Sequence, residues 1–344
     1  MVTVEQLPDL VCPAGSLPAL RAAVDNGADA VYIGFSNTTN ARNFPGLNFE
    51  MHDVIRGVRY AHDRSCKVML ALNTYPQTDN WQLWAEALEN ASDLGLDAVI
   101  MADLGLLQYA VNNYSNLPLH LSVQGSATNQ FAIAFYYEQF GIKRVILPRV
   151  LSIAQVQNVI EATPVEVEVF GFGSLCVMVE GRCIMSSYVT GESPNTAGVC
   201  SPAHAVSWEE TTEGRQSRLN NVLIDRYKPD EAAGYPTLCK GRFQTASEAF
   251  SDSEAFYAIE EPTSLNVLPI IPKLVEMGVA AIKIEGRQRS PAYVAIVTKI
   301  FRTALDAYQA NPEHYKPEPD GLKQLHRISE GCSSTLGALH RPWQ

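Results

Sequence analysis

The sequence predicts a closed (β/α)8 barrel of the TIM type with an insertion after its seventh strand, and three observations lead there. Short apolar strands alternate with helices eight times along the chain. One junction recurs: Gly27-Ala-Asp-Ala-Val31 is echoed by Gly95-Leu-Asp-Ala-Val99 and, more loosely, by Gly141-Ile-Lys-Arg-Val145 and Gly278-Val-Ala-Ala-Ile282. Each copy sets glycine at a helix C-terminus just before a buried strand. Six of the seven steps between strand starts are 21 to 37 residues long, and the last is 115. A doubly wound sheet also alternates, but regular units without a glycine-rich dinucleotide fingerprint favour the barrel.

In chain order, strands are expected near 9–15, 30–34, 67–73, 98–102, 119–123, 144–148, 165–171 and 280–285. Helices are expected near 17–26, 50–65, 79–94, 104–114, 128–140, 152–161, 264–277 and 291–310, from apolar spacing closed by glycine or a small-residue turn. This divides the chain into the first seven β/α units (1–173), a cysteine-bearing insertion (174–262), the last helix, strand and helix of the barrel (263–310), and a C-terminal tail (311–344). The tail, with Pro312, Pro317, Pro319 and Pro342, reads as an extended segment crossing the barrel or meeting a partner. The insertion falls on the side where barrel active sites lie.

Composition narrows the function. The chain has 344 residues, 46% hydrophobic and 18% charged, enough to bury a large core. A net charge of −11 argues against a broad nucleic-acid face, because phosphate binding runs on clustered cations. No basic leader precedes an apolar run and no transmembrane stretch is present, so a soluble cytoplasmic protein is expected. Thiols stay reduced there, and an odd count of seven cysteines points to metal or catalytic use rather than disulfides.

Four of those cysteines, Cys176, Cys183, Cys200 and Cys239, fall within 64 residues, while Cys12, Cys66 and Cys332 are scattered. Their intervals of 7, 17 and 39 contain no Cys-x2-4-Cys knuckle, the compact pairing of structural zinc sites. Iron–sulfur ligation tolerates wider spacing, and the glycines and apolar residues between them suit a shielded cluster. Zinc, and ordinary buried thiols, stay open on spacing alone. For Cys12 and Cys66 a core role is the better reading.

Glu168-x-Phe170-x-x-Gly173-Ser174-Leu175-Cys176-x4-Gly181-x-Cys183-x-Met185-Ser186 resembles the signature of the collagenase-like peptidase family U-thirty-two. Similarity extends to Cys12–Leu20, Asn40–Phe44, Ser122–Asn129, Leu147–Ser152 and Lys283–Pro291. Thr190–Asn195, Tyr235–Arg242 and the C-terminal His-Arg-x-Trp-Gln resemble the ubiquinone-biosynthesis branch of that family. The resemblance implies a 4Fe-4S cluster on Cys176, Cys183, Cys200 and Cys239. It also implies a heterodimer with a related, shorter UbiV-like subunit, and dioxygen-independent hydroxylation of ubiquinone precursors with prephenate as oxygen donor. No membrane anchor is legible, so the prenylated substrate needs a lipid-binding accessory protein to deliver it.

In a barrel the C-terminal strand ends line the pocket. Glu168, Arg149 and Arg287 are the catalytic candidates on that logic, and Arg42, Asn73, Gln124, Lys283 and Glu285 the substrate-binding ones. Arg42, Arg149, Lys283 and Arg287 are suited to clamp a dicarboxylate such as prephenate, with rim ion pairs as the plainer reading of each. Two alternatives stand beside the hydroxylase: a non-catalytic cluster-bearing scaffold for a partner, and an RNA hydroxylase, against which net charge and the absence of an added RNA-binding domain speak. A peptidase is disfavoured, since no His-Glu-x-x-His and no Gly-x-Ser-x-Gly elbow is present.

Overall fold

Parallel pairing carries the chain round a full circle in this computed structural model, which describes residues 7–212, 214–245 and 255–341. Strands β1 (Asp9–Pro13), β2 (Ala30–Ile33), β3 (Lys67–Leu72), β4 (Ala98–Met101), β5 (Leu119–Leu121), β6 (Arg144–Ile146) and β7 (Glu166–Ser174) pair in sequence order. The eighth strand, Ala281–Ile284, pairs with β1 on one side and β7 on the other, so the barrel closes. These strands are buried almost throughout, as they must be when helices cover the outside of a parallel sheet.

The helices start and stop for local reasons. Helix α1 (Leu17–Asp25) is capped by Ser16, α2 spans Met51–His62, α3 Trp81–Asp93 and α4 Leu104–Asn113. Asp103 caps α4 by accepting the Leu106 N–H at 2.8 Å. Asn129 caps α5 (Gln130–Phe140), and a Ser152–Gln155 capping box opens α6 (Ile153–Ala162). The four junction glycines, Gly27, Gly95, Gly141 and Gly278, all have φ between +63° and +93°, the left-handed turn that lets the chain leave a helix and enter the next strand. Ser290 caps the long helix Pro291–Ala310, whose Val294, Val297, Phe301 and Leu305 face the core.

Three expectations need correction. Strand β7 runs on to Ser174 through Gly171 and Gly173, which the sequence presents as its end. Gly171 is there because a Cβ would lie 2.3 Å from Ile282 Cγ2, so the glycine marks close packing rather than a turn. That extension leaves an edge, and Ser264–Asn266 pairs antiparallel with it, so the helix expected over 264–277 shrinks to Ile271–Glu276 after a 3₁₀ turn at Leu268–Ile270. Pro269 and Pro272 are compatible only with the first turn of either helix. The tail is not simply extended: Pro319–Ile328 is helical, burying Gly321 and Leu325, and Ser334–Thr335 pairs parallel with Ser264–Leu265.

Residues 174–262 hold short helices at Met185–Thr190 and Pro194–Ala197 and an antiparallel sheet of Val206–Thr211, Gly214–Leu219 and Val222–Tyr227. Among the described residues no helix is long and apolar enough to cross a membrane.

Candidate functional site

Strand β7 carries the chain past the barrel rim and delivers Cys176. Glu285, one residue beyond the eighth strand, fixes the exit: its Oε2 accepts the Ser174 N–H at 3.1 Å, while Oε1 accepts from Gln288 at 3.0 Å and Arg42 at 3.4 Å. Arg149, from the loop after β6, donates to the Ser174 carbonyl at 2.6 Å and to Glu180 at 2.8 Å, with its guanidinium 4.0 Å above the Phe170 ring. Burial pushes the Glu285 carboxyl up, but Arg42 and Arg149 more than offset this and hold it down to about 2.

The insertion rests on the barrel's C-terminal loops. Ser126, after β5, donates to the Glu180 carbonyl at 2.7 Å, and Asn195 donates to the Gly181 carbonyl at 2.7 Å. Gly181 lies so close to the Gln124 carbonyl that a Cβ would sit 2.2 Å from it. The Arg42 amide donates to Gly198 at 3.0 Å, two residues before Cys200. Asn73 supports that loop from below, accepting from Ala41 at 3.0 Å and donating to Ser122 at 3.3 Å. Ser201 bonds the Pro236 carbonyl at 2.6 Å and Tyr235 the Ser201 carbonyl at 2.9 Å, which ties the Cys200 segment to the Cys239 segment.

The insertion segments that carry the four clustered cysteines are thereby tied to the barrel's C-terminal loops and to one another, and all four thiols are free of disulfides. Burial pushes the thiols of Cys176, Cys200 and Cys239 up. Neighbouring thiols add to it: Cys200 acts on Cys176, Cys183 on Cys200, and both Cys200 and Cys183 on Cys239. Arg149, Arg42 and Lys240 oppose them from nearby. Among the described residues no three His, Cys, Asp or Glu side chains stand close enough to hold a single metal ion. Four free thiols with cations beside them to offset thiolate charge are a donor set of the kind an iron–sulfur cluster takes. Cys12 and Cys66 lie in the core, where burial pushes both thiols up to about 12.

Other candidates divide between mouth and interior. Arg287 is 3% exposed and donates to Asn40 Oδ1 at 2.9 Å and Asn48 Oδ1 at 3.4 Å. It makes no ion pair among the described residues, and burial pulls its guanidinium down to about 10. Arg42 and Arg149, by contrast, already have Glu285 and Glu180. Gln124 is buried, with its Oε1 unpartnered. Glu168 is a correction: expected at a strand end, it is the third residue of nine in β7, in register with Ile146 and Ala281. At about 3.3 Å per residue this puts it about 20 Å below Ser174. Its oxygens are engaged by Lys283 at 2.7 Å and Arg144 at 3.3 Å, so Glu168 and Lys283 form an interior ion pair below the mouth. Lys283 also stacks 4.0 Å from the centre of the Tyr32 ring.

Sequence reasoning missed Glu180, which answers Arg149, and the contact of Lys240 with Glu330 at 2.5 Å. Glu180 lay within the quoted signature; nothing links residues 240 and 330 until the chain is folded. Ser174 has Lys240 and Glu330 as hydroxyl partners and, among the described residues, no histidine with which to form a nucleophilic triad.

Fold and site together define a class: a (β/α)8 barrel whose C-terminal mouth is roofed by an insertion presenting four thiols. The profile of Peptidase family U32 matches residues 15–339, and the chain belongs to that family. It is 29% identical over 331 residues to tRNA hydroxylation protein P1 of Bacillus subtilis (strain 168), covering 95% of this chain and 70% of that protein. It is 31% identical over 317 residues to tRNA hydroxylation protein P of Escherichia coli (strain K12), covering 87% and 68%. The 23S rRNA 5-hydroxycytidine C2501 synthase of Escherichia coli (strain K12) is 27% identical over 303 residues, covering 87% of this chain and 39% of that protein.

Proposed function

We propose that this chain is a hydroxylase in which Cys176, Cys183, Cys200 and Cys239 hold a 4Fe-4S cluster over the barrel mouth. The observation that carries the reading is the anchoring of the cysteine-bearing insertion on the barrel's C-terminal loops, with Arg42 and Arg149 against its segments, where barrel enzymes do their chemistry. When bound, such a cluster supplies one-electron redox chemistry. Arg287, a buried cation without a carboxylate of its own, is the residue suited to take a carboxylate of the oxygen donor. The family resemblance implies prephenate as that donor, in which case dioxygen is not required. Arg149 and Glu285 position the cysteine loop.

Two acceptors have support. The relatives' printed activities on tRNA and rRNA favour an RNA nucleobase. The net charge of −11 disfavours a polyanion, and Ile184 (75% exposed) and Tyr188 (93%) present an apolar face beside Cys183. Those two observations, with the branch motifs of the sequence, favour a ubiquinone precursor handled in a UbiU–UbiV-type heterodimer, the lipid being delivered by an accessory protein. An anaerobic turnover assay with prephenate, offering a quinone precursor and unmodified tRNA in parallel, separates them. Hydroxylated RNA alone establishes the first acceptor, hydroxylated quinone precursor the second. Failure of both, with the cluster intact and the partner subunit supplied, contradicts the hydroxylase reading. Full turnover after Arg149→Ala and Arg287→Ala, cluster intact, makes this subunit a scaffold for its partner.

A further inference from the structure

The insertion and the C-terminal segment meet at a buried polar cluster that the hydroxylase reading leaves unused. Lys240 follows Cys239 directly and is 5% exposed. Its Nζ stands 2.5 Å from Glu330 Oε2 and 3.1 Å from Ser174 Oγ, and the Ser174 hydroxyl also donates to the same Glu330 oxygen at 3.3 Å. Glu330 is 8% exposed and built into its place: its backbone N–H bonds Ser264 Oγ at 2.9 Å, and Gly331 is packed so tightly on the Pro262 carbonyl that a Cβ would lie 2.1 Å from it. Three segments far apart in sequence thus converge on one ammonium group.

Burying such a pair is costly, and an apolar contact would join the segments as well. The position of the charge suggests what the pair does. Lys240 follows Cys239 directly, and its Nζ bonds Ser174, two residues before Cys176, so the ammonium is tied to two of the four cysteine segments. Glu330 approaches Lys240 from the side of the C-terminal segment, next to the Ser264 strand.

We propose that Lys240 is a positioning residue for the cluster's charge: a fixed buried cation, held by Glu330 of the C-terminal segment, that favours the reduced state of a cluster bound by the neighbouring cysteines. This rests on the cluster reading above. A cluster that gains one electron from an external reductant gains one negative charge, and a nearby ammonium in a weakly screened interior stabilises that state. The C-terminal segment thereby contributes to the site's redox behaviour through Glu330.

The test is a potentiometric titration of the full-length, anaerobically purified protein, with a dithionite-class reductant and the cluster's visible absorption as readout, on wild type, Lys240→Met, Lys240→Arg, Glu330→Gln and the Lys240→Met/Glu330→Gln pair. Lys240→Met shifts the midpoint potential negative, Glu330→Gln shifts it positive, Lys240→Arg stays near wild type, and the double variant falls between the single ones. A merely structural joint would not give shifts of opposite sign. Should Lys240→Met lose its cluster, Glu330→Gln and Lys240→Arg decide: a positive shift in the first with none in the second supports the proposal, and an unmoved Glu330→Gln overturns it. Unchanged potentials, or shifts of one sign in both single variants, overturn it while the cluster reading stands. Wild-type protein without iron or sulfide overturns both.

Discussion

Glu285→Gln is the most informative single substitution in the frame of the site. The carboxylate is buried, accepts the Ser174 N–H that starts the cysteine loop, and stands against Arg42 and Gln288. Burial alone would raise its pKa, yet Arg42 and Arg149 bring it from 4.5 to about 2. At about 1.4 kcal/mol per pKa unit, a carboxylate so depressed contributes about 3 kcal/mol to folding at neutral pH. The sign follows from the lowered value: the contribution is complete above pH 4.5 and is lost as pH falls through about 2. Glutamine keeps the shape and removes the charge, leaving Arg42 and Arg149 facing one another. Urea unfolding followed by tryptophan fluorescence is expected to show the variant about 3 kcal/mol less stable at pH 7, with the gap closing toward pH 2. A variant as stable as wild type at pH 7, or a gap that does not narrow in acid, would refute the reasoning.

Three further outcomes are expected. Glu168→Gln strands Lys283 in the barrel interior, while Arg144 keeps Asp9 and Glu166, and lowers stability by about 3–5 kcal/mol, read as a fall in unfolding midpoint; an unmoved midpoint contradicts the buried-pair account. Alanine at Cys176, Cys183, Cys200 or Cys239 strips most iron and sulfide from the protein, whereas alanine at Cys12, Cys66 or Cys332 leaves both in place, as metal analysis of each variant shows. Arg287→Ala raises the KM for a carboxylate donor roughly 10- to 100-fold at unchanged iron content, with Arg287→Lys recovering part of it; an unchanged KM removes Arg287 from the donor site.

The barrel was legible because its physics is local and repeated. Gly27, Gly95, Gly141 and Gly278 each have to adopt positive φ to turn a helix into the next strand, and that need is visible in four similar pentapeptides. What depends on distant partners was not legible. Gly171 and Gly173 look like the end of β7, but they mark tight packing against Ile282 and Glu285, so the sequence alone ends the strand three residues early and sets Glu168 at the mouth. The edge strand Ser264–Asn266 exists because β7 is long, a fact its own residues do not carry. Likewise Leu322, Leu325 and Ile328 have helical spacing, which the flanking prolines of the tail obscured. For the site, their clustering in the chain marks the four thiols as candidates, whereas the contacts of Glu180, Lys240 and Glu330 around them join residues 31, 66 and 90 positions apart in the chain.

Iron and acid-labile sulfide, measured on protein purified without oxygen alongside its visible spectrum, test the central claim most directly. The account predicts about four of each per chain and a broad absorption near 400 nm that dithionite bleaches (roughly the behaviour expected of a thiolate-bound cubane). Stoichiometric zinc with no sulfide and no visible band, or four reactive thiols with no metal at all, would contradict it.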